Sequence, residues 1–396
     1  MRYHASEGFL FVKVAIDVRK MSDYGVATYL RNVVRTLGRV DLKTEYILLG
    51  AVERFRDIGP LPANFNLVPF TTEAVNPRIY FEFRRTMRYY GCDLLHVPHI
   101  FWRPLPISCP YVMTVHDLLD YMYRARVSTG FGRLMHFYLT RHVMQHAARI
   151  FAVSNFTKQD IRRFFQVKSA RIDVIYNALD DRFRMGHTTV AERQMLAERY
   201  AINYPFILYT GRISPHKNVV RIIEAFSALQ TELAKEGRYS DLKLVIIGDE
   251  VSKHPDIRRA VIRSGTQHDV RFFGFVPIDL LRIFYDAAKV FVFPSLYEGF
   301  GLPPLEAMAH GTPVVTSNTS SLPEVVGNAA VLVNPENVFE ISRALLRVLL
   351  DQPLRDRLKV AGVEQAAKFS WETSVRRMVQ AYTEVVEGTE RRATWT

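Results

Sequence analysis

The chain has 396 residues, and two α/β domains of just under 200 residues each would account for its whole length. Hydrophobic residues make up 48% of the chain and charged residues 23%. This composition excludes a disordered chain, a collagen-like chain and a membrane protein with many spans. The two cysteines, Cys92 and Cys109, have no metal-ligand spacing, so no disulfide framework or zinc site is predicted and a reducing, cytoplasmic compartment is expected.

The formal net charge of +12 is unevenly distributed. Residues 1–200 hold 29 Lys and Arg against 18 Asp and Glu, whereas residues 201–396 hold 23 against 22. The first half is therefore expected to meet an anionic partner, such as a lipid headgroup surface or an acidic acceptor. Nucleic acid is not predicted as a partner, because no RRM, KH or zinc-finger signature is present. A role in solubility alone is the alternative.

Short apolar runs alternate with helix-length polar segments in both halves. Continuous apolar runs of about four to six residues are expected of strands buried on both faces, so each half is predicted to be a doubly wound parallel sheet of the α/β class. Strands are predicted in the first half at 12–17, 46–49, 94–97, 111–115, 150–153 and 172–175. In the second half they are predicted at 206–210, 244–247, 270–273, 290–293, 313–316 and 331–333.

The boundary between the halves is predicted in the polar segment 180–203, which has no strand signal. The predicted domains are 1–185 and 200–371. Ligand sites are expected at the carboxyl edges of the two sheets, where loops and helix N-termini gather. The apolar run 9–16 is interrupted by Lys13 and predicts a first strand rather than a signal peptide.

The most informative segment is 293–311. A buried strand is predicted to end there in a glycine-rich loop, and a helix should begin near Pro303, since proline suits the first helical turn. Backbone amides at the start of this helix would favour an anion such as phosphate. The amides concerned belong to Phe300, Gly301 and Leu302.

Two carboxylates belong to the same segment. Glu298 lies in the predicted loop and Glu306 in the predicted helix, so both can reach one extended polar ligand. Carboxylates accept hydrogen bonds from hydroxyls such as those of a sugar or a ribose. The alternative is a tight turn followed by a solvated helical glutamate.

A second segment, 210–218, follows a predicted strand and contains Arg212 and Lys217. Two cations five residues apart around a strand-to-helix loop can grip a diphosphate and could replace a metal ion. The sequence has no Asp-x-Asp pair to hold a divalent ion, and the spacing is not that of a P-loop. A chance pair of basic loop residues is the alternative.

The first half offers weaker candidates. Gly25 follows the first strand and would let the backbone approach a ligand before a helix starts. His116 ends a buried strand and could bond a sugar hydroxyl or a phosphate. For His116, the alternative is a histidine that is packed against Asp117 and has no ligand.

Together these motifs resemble the retaining glycosyltransferases of family 4, whose GT-B fold has two doubly wound Rossmann-like domains facing across a cleft. The resemblance spans most of the chain. It is most specific from Glu298 to Glu306, the family's Glu-x7-Glu element, and it is strong at Arg212 and Lys217. The segment 321–327 also matches the family's pattern.

The resemblance implies a role for each candidate. Arg212 and Lys217 would bind the donor diphosphate, Glu298 and the loop amides would contact the donor sugar, and Glu306 would contact the ribose. His116 would contact the donor sugar from the first domain. A last helix at 372–388 would cross back to the first domain. The family often has two adjacent glycines where this sequence has Tyr24 and Gly25, a departure on the acceptor side.

The implied reaction is the transfer of a hexose, with retention, from a nucleotide-sugar donor to a hydroxyl of a saccharide or lipid-linked saccharide. No metal or other cofactor is expected. GDP-mannose as donor and a bacterial envelope polysaccharide as product are the preferred interpretation. A nucleotide-sugar epimerase, a glycan phosphorylase and an inactive sugar-nucleotide-binding protein are the alternatives.

The acceptor side is represented by two segments that interleave aromatics with arginines, 78–90 and 121–126. Such segments could rest on anionic headgroups, where each basic residue contributes about 1 kcal/mol. A peripheral location at the cytoplasmic face of a membrane, with a lipid-linked acceptor, is therefore predicted. Helices that are simply packed or solvated are the alternative.

Overall fold

The chain forms two compact units. The first comprises Met1–Asn177 with Trp371–Thr396, and the second comprises Ala178–Ser370, so the chain leaves the first unit once and later returns to it. The computed structural model describes residues 12–21, 24–51, 53, 58–70, 72, 76, 78–100, 107–123, 130–184, 188–248 and 250–393.

The described residues of the first unit form a seven-stranded parallel sheet with the order β3-β2-β1-β4-β5-β6-β7. Its central strands are completely buried, as parallel strands covered on both faces must be. The strands are β1 (Lys13–Asp17), β2 (Glu45–Gly50), β3 (Phe65–Pro69), β4 (Leu94–Val97), β5 (Tyr111–Val115), β6 (Arg149–Ala152) and β7 (Ile172–Val174).

Helices cover both faces of this sheet. Residues of α2, α4 and α5 share one apolar cluster with alternate strand residues such as Leu95 and Met113. Side chains alternate along a strand, so the neighbouring residues face the other way, where α1 and α14 pack together. The helices are α1 (Tyr24–Val40), α2 (Arg78–Tyr90), α3 (Leu119–Tyr123), α4 (Gly130–His146), α5 (Asn155–Phe165) and α14 (Trp371–Ala393). The last of these covers the 372–388 helix that the resemblance implies.

Strand β3 is the one strand of this sheet that the apolar runs do not predict. It lies at the edge of the sheet and pairs only with β2, with Phe65 opposite Tyr46. Three of its five residues are exposed, and the strand ends in Pro69. An edge strand needs ladder bonds on one side only, so it tolerates polar residues and proline where a central strand would not.

The second unit contains a six-stranded parallel sheet with the order β10-β9-β8-β11-β12-β13. All six strands coincide with the predicted apolar runs to within a residue at each end, which confirms the α/β class. The strands are β8 (Phe206–Thr210), β9 (Lys243–Ile247), β10 (Val270–Phe273), β11 (Val290–Phe293), β12 (Val314–Ser317) and β13 (Ala330–Val333). The helices are α6 (Val190–Tyr200), α7 (Val219–Glu236), α8 (Pro255–Arg263), α9 (Ile278–Ala287), α10 (Leu302–Ala309), α11 (Leu322–Val326), α12 (Val338–Leu350) and α13 (Gln352–Ala367).

The segment expected to be a linker, 180–203, is instead part of the second unit. Helix α6 begins with a capping box in which the Thr189 side chain and the Glu192 side chain each satisfy the other's backbone N–H. Arg193 then forms an ion pair with Asp286 of α9 at 2.7 Å, and Thr188 donates a hydrogen bond to the same carboxylate. A polar segment is thus anchored by charge rather than by an apolar stripe.

Over the ranges given above, no helix combines the length and the apolar character that crossing a bilayer requires.

We expect Asp286→Ala to weaken the attachment of α6 to the second unit. The Asp286 side chain is only 4% exposed. Burial alone would raise its pKa, but hydrogen bonds from Thr188 and Arg193 outweigh burial and hold the pKa below the ordinary value. Removing the carboxylate should lower the free energy of unfolding by about 1–3 kcal/mol, measured as a lower midpoint of thermal unfolding at pH 7. This loss should shrink on acidification, as Asp286 becomes protonated in the parent.

The exposed Asp241 of the same unit provides the control, because Asp241→Ala removes the same group without a buried partner. Equal unfolding midpoints for the two variants would show that α6 does not depend on this contact.

Candidate active site

The order of the second sheet changes direction beside β8, which lies between β9 and β11. In an open parallel sheet the connections on the two sides of such a point diverge, and ligands bind at the carboxyl ends of the two strands. Residues 211–218 follow β8 and residues 294–301 follow β11. The two motifs singled out by the sequence therefore meet where this fold binds ligands.

Hydrogen bonds hold these two loops together. The carbonyl of His216 accepts from the backbone N–H of Leu296 at 2.7 Å and from Ser295 Oγ at 3.0 Å. Asn218 Nδ2 donates to the Pro294 carbonyl at 2.9 Å. Asn218 was not predicted as a site residue. Its φ of 65° is a left-handed conformation that asparagine tolerates better than most residues. An asparagine at the end of the loop is the sequence signal that could have indicated this role.

Lys217 and Glu298 form an ion pair across the two loops. Lys217 Nζ lies 2.6 Å from Glu298 Oε1, and the side chains are only 17% and 12% exposed. Lys217 Nζ also lies 5.1 Å from the centre of the Phe293 ring, a cation–π distance. The cation predicted for a diphosphate and the carboxylate predicted for sugar hydroxyls are thus direct partners, and one ligand could contact both.

Glycines bring the backbone close at the same edge. Gly211 has a φ of 139°, and its N–H donates to the Ile247 carbonyl at 3.0 Å. A Cβ added to Gly248, which follows β9, would lie 2.1 Å from the Gly211 carbonyl oxygen. Only glycine fits there. Arg212 comes directly after this contact, and its side chain is exposed.

The loop before α10 also requires glycine. Gly301 has a φ of 104°, and a Cβ at this position would lie 2.6 Å from Leu322 Cδ2. Helix α10 then begins at Leu302 with proline in its first turn, as the sequence predicts. The helix start is therefore fixed against α11 by close packing.

Ser321 anchors the same loop from the β12 side. Its Oγ lies 2.9 Å from the Glu298 carbonyl and 2.8 Å from the Phe300 carbonyl, and it can donate to either. The Phe300 ring is buried and packs edge-on against Phe369 at 5.4 Å. Only the backbone of Phe300 is therefore a candidate for ligand contact. Ser321 lies in a segment that matches the family's pattern, but its role in the loop was not foreseen.

Glu306 is largely enclosed, in contrast to the solvated glutamate that was the alternative interpretation. Its Oε2 accepts from the Tyr285 hydroxyl at 2.8 Å, and that hydroxyl also bonds Thr210 Oγ1 at 2.6 Å. Burial, with a smaller contribution from the charge of Asp180, raises the pKa of Glu306 to about 7 even though the Tyr285 bond opposes this. The carboxylate is linked to the end of β8 through Tyr285.

In the first unit, His116 follows β5. Its Nε2 lies 3.0 Å from the Pro98 carbonyl, which can only accept, so Nε2 carries the hydrogen. Burial lowers the pKa of His116 to about 4. The imidazole is therefore neutral at pH 7, and Nδ1 can accept from a hydroxyl but cannot donate to a phosphate oxygen. Of the two ligand groups expected for His116, this geometry favours the hydroxyl.

Gly25 lies inside the first turn of α1 rather than before it, because the helix begins at Tyr24. A Cβ added to Gly25 would meet no atom within 4 Å. Its φ is not in the left-handed region. Among the described residues, therefore, no contact or backbone angle requires glycine at this position.

No group of three or more His, Cys, Asp or Glu side chains suited to a metal ion is found within the described part of the chain.

The second unit has the geometry of a nucleotide-binding α/β domain, with glycine-lined loops and a charged pair at the switch point of its sheet. Comparison with known protein families identifies the class of protein to which the chain belongs. The model described as Glycosyltransferase Family 4 matches residues 24–183, and the model described as Glycosyl transferases group 1 matches residues 193–365. The chain belongs to this glycosyltransferase family, which confirms the resemblance carried by its motifs.

Individual relatives give the same assignment. Serotype-specific mannosyltransferase WbdA from Escherichia coli is 32% identical over 280 residues, which cover 70% of this chain and 34% of WbdA. O-antigen chain mannosyltransferase B from Escherichia coli is 34% identical over 241 residues, covering 60% of this chain and 61% of that protein. The matched region thus spans about a third of the length of WbdA.

Among solved structures, a glycosyltransferase from Rickettsia africae ESF-5 matches with a TM-score of 0.75 and 18% identity. The match covers 96% of this chain and 99% of that one. At this identity the match concerns the fold alone, and the fold is GT-B.

We expect Glu306→Gln to stabilise the protein at pH 8. Because the pKa of Glu306 is raised from 4.5 to about 7, the folded chain holds this proton more tightly than the unfolded chain does. Stability therefore falls as pH rises through this window, and a neutral amide avoids the loss. The gain should be about 1–3 kcal/mol at pH 8 and close to zero at pH 5, measured by thermal unfolding at both pH values.

Glu364→Gln on the exposed face of α13 is the matched control and should change little at either pH. If Glu306→Gln were equally destabilising at both pH values, the carboxylate would not be a buried charge.

Proposed function

We propose that this chain transfers a hexose from a nucleotide-sugar donor to a hydroxyl of a saccharide acceptor. The observation that carries the proposal is the largely buried ion pair of Lys217 and Glu298 at the switch point. The cation suits the donor diphosphate, and the carboxylate suits sugar hydroxyls. Membership of the family supports glycosyl transfer. The names of the relatives, which are mannosyltransferases, support mannose as the transferred sugar and an envelope polysaccharide as the product. We propose GDP-mannose as the donor.

The reaction breaks the bond between the anomeric carbon and the diphosphate oxygen. The electron pair moves to the diphosphate while the sugar becomes oxocarbenium-like. Fixed positive groups around the diphosphate therefore stabilise the transition state more than the ground state, and removing one such group costs about 10²–10³ in rate. Lys217, Arg212 and the amides of Phe300, Gly301 and Leu302 are the groups proposed for this role.

We propose that the acceptor oxygen attacks the anomeric carbon from the face that the diphosphate leaves. A phosphate oxygen of the leaving group takes the acceptor proton as the new carbon–oxygen bond forms, so the anomeric configuration is retained. Glu298 binds hydroxyls rather than attacking the sugar in this scheme. Its short contact with Lys217 supports that role, since Glu298 Oε1 is already engaged by the ammonium group.

No metal or other cofactor is part of the proposed reaction. Two cations supply the charge that a divalent ion would otherwise bring to the diphosphate. Lys217 is a compact point charge held at the loop, whereas Arg212 offers a planar fork at the exposed edge.

Lys217→Ala and Glu298→Ala should each lower transfer at saturating GDP-mannose by at least about tenfold, because each removes a group proposed to contact the donor. The assay measures GDP release and mannoside formation with a mannoside acceptor, and EDTA should leave the parent rate unchanged. UDP-glucose in place of GDP-mannose tests the choice of donor.

The control is Lys243→Ala, which breaks the 2.5 Å ion pair with Asp269 in the same unit. Lys243 is comparably exposed but is the first residue of β9, so it lies at the amino ends of the strands, away from the site. Near-native turnover in both site variants would overturn the site assignment, and loss of activity in EDTA would overturn metal independence.

We further propose that the first unit rests on an anionic membrane surface beside a lipid-linked acceptor, on the cytoplasmic side. Helices α2 and α4 lie on the same face of the first sheet. Four large apolar side chains of α4 are between 46% and 76% exposed, at the i, i+3, i+4 and i+7 spacing of one helical stripe: Phe131, Leu134, Met135 and Tyr138. Helix α2 adds exposed arginines, which carry positive charge, and two exposed aromatic side chains: Arg84, Arg85, Arg88, Phe81 and Tyr89. Residues 124–126 of the predicted surface lie outside the described residues.

The double variant Leu134→Ser with Met135→Ser should reduce co-sedimentation with phosphatidylglycerol-containing vesicles by at least about fivefold at low salt, since each buried methylene contributes about 0.8 kcal/mol. High salt should weaken binding of the parent, because headgroup attraction to arginines is screened. Absence of parent binding at low salt would remove the membrane proposal.

Val360→Ser with Val363→Ser on α13 is the matched control, because these valines are 62% and 44% exposed in the other unit. Equal losses of vesicle binding in the two double variants would indicate nonspecific hydrophobic adsorption rather than a membrane-binding surface.

A further inference from the structure

Four buried polar side chains in the first unit form one hydrogen-bonded chain. The Tyr382 hydroxyl lies 2.7 Å from His96 Nδ1, and His96 Nε2 lies 2.8 Å from Thr114 Oγ1. Thr114 Oγ1 lies 3.0 Å from the Tyr29 hydroxyl. All four residues are at most 2% exposed. We name this chain of four residues the Tyr382–Tyr29 network; it joins α14 to β4, β5 and α1.

The donors in this network can be assigned. Burial lowers the pKa of His96 to about 3, so its ring is neutral and has one N–H. If Tyr382 donates to Nδ1, then Nε2–H donates to Thr114, Thr114 donates to Tyr29, and Tyr29 donates to Met378 Sδ at 4.0 Å. In the reverse direction, the Tyr382 hydrogen would find no second acceptor among the described residues. The first direction satisfies every group and is the one expected.

The network begins on α14 with Tyr382, and its last hydroxyl, that of Tyr29, donates back to Met378 of the same helix. Tyr382 and Met378 lie one turn apart on the same face of α14. This helix follows the whole second unit in the chain, and His96 and Tyr382 are 286 residues apart. A single helix from the end of the chain therefore fixes the hydroxyl of Tyr29 in α1.

Tyr29 in turn packs against His116. The two rings are 4.7 Å apart between centroids and nearly perpendicular at 83°. Thr114 lies in β5 and His116 directly follows that strand, and Tyr29 contacts both side chains. With Nε2 held by the Pro98 carbonyl and the ring held by Tyr29, the direction of Nδ1 is fixed.

We infer that the Tyr382–Tyr29 network positions His116, so that α14 sets the direction in which the first unit presents a hydrogen-bond acceptor to a sugar hydroxyl. The residues of the network are positioning residues, because they act through Tyr29 and the His116 ring. The inference rests on the proposed function for the sugar hydroxyl, while the geometry stands without it.

The test uses the full chain and two variants that remove one hydroxyl each. Thr114→Val keeps the shape of the side chain but interrupts the network, and Thr114→Ser restores the hydroxyl. Tyr382→Phe removes the first donor. The matched control is Tyr111→Phe, because the Tyr111 hydroxyl is also buried in the first unit, where it donates to the Val143 carbonyl at 2.6 Å.

Two measurements are made on each variant. Long-range proton–nitrogen NMR of the chain labelled at histidine reports the imidazole nitrogens of His116, which are assigned with His116→Gln. Steady-state kinetics with GDP-mannose and a mannoside acceptor separates kcat from the KM for the donor.

Thr114→Val and Tyr382→Phe should shift the His116 nitrogen signals and lower kcat about three- to tenfold with KM within about twofold, as expected when orientation rather than binding is lost. Thr114→Ser and Tyr111→Phe should match the parent in both measurements. Unmoved His116 signals, or a fall in kcat no larger than that of Tyr111→Phe, would overturn the inference.

Failure of the proposed function would look different. If the parent does not turn over GDP-mannose, the proposed donor is wrong, and the NMR signals alone decide whether the network positions His116.

Discussion

The candidate site of the second unit is organised around one partly buried ion pair at the carboxyl edge of its sheet. Removing a lysine and a glutamate from water costs on the order of several kcal/mol per charge, and only a close partner returns that energy. Lys217 and Glu298 meet this condition at 2.6 Å because the loops after β8 and β11 are held together by backbone and side-chain hydrogen bonds. The loops are thus shaped before a ligand arrives. Preorganised charge of this kind stabilises a developing negative charge without further rearrangement.

The two units hold their buried polar groups differently. The second unit keeps a charged pair, and beside it a carboxyl group, Glu306, whose pKa burial raises to about 7. The first unit keeps its histidines neutral, since burial lowers the pKa of His96 to about 3 and that of His116 to about 4. Its buried Asp17 is ionised only because two bonds from Arg19, at 2.8 and 2.6 Å, outweigh burial and lower its pKa. The Lys217–Glu298 pair thus offers charge at the proposed donor site, whereas His116 offers a neutral acceptor for a hydroxyl.

Prediction from the sequence worked best for elements whose burial is complete. Apolar runs located the central strands of the second sheet, because such strands must be apolar on both faces. They also located the partly exposed edge strands β10 and β13, whose residues are mostly apolar. The apolar runs do not predict edge strand β3, since three of its five residues face solvent. The sequence also does not predict that segment 180–203 packs on the second unit. Its helix α6 is anchored by the ion pair of Arg193 with Asp286, a partner far away in sequence. Local pattern cannot reveal a charge partner on another helix.

The amino-acid sequence by itself determined the parallel-sheet class, the family and the set of candidate residues from Arg212 to Glu306. The class follows from hydrophobic periodicity, the candidate residues from the placement of glycines, prolines and charges, and the family from the resemblance that these motifs carry. Tertiary structure alone decided that Lys217 pairs with Glu298, that Glu306 is enclosed beside Tyr285, and that Tyr382 reaches His96. These contacts join residues brought together by strand order and by the return of α14 to the first unit. Their protonation states depend on burial, which exists only once the chain has folded.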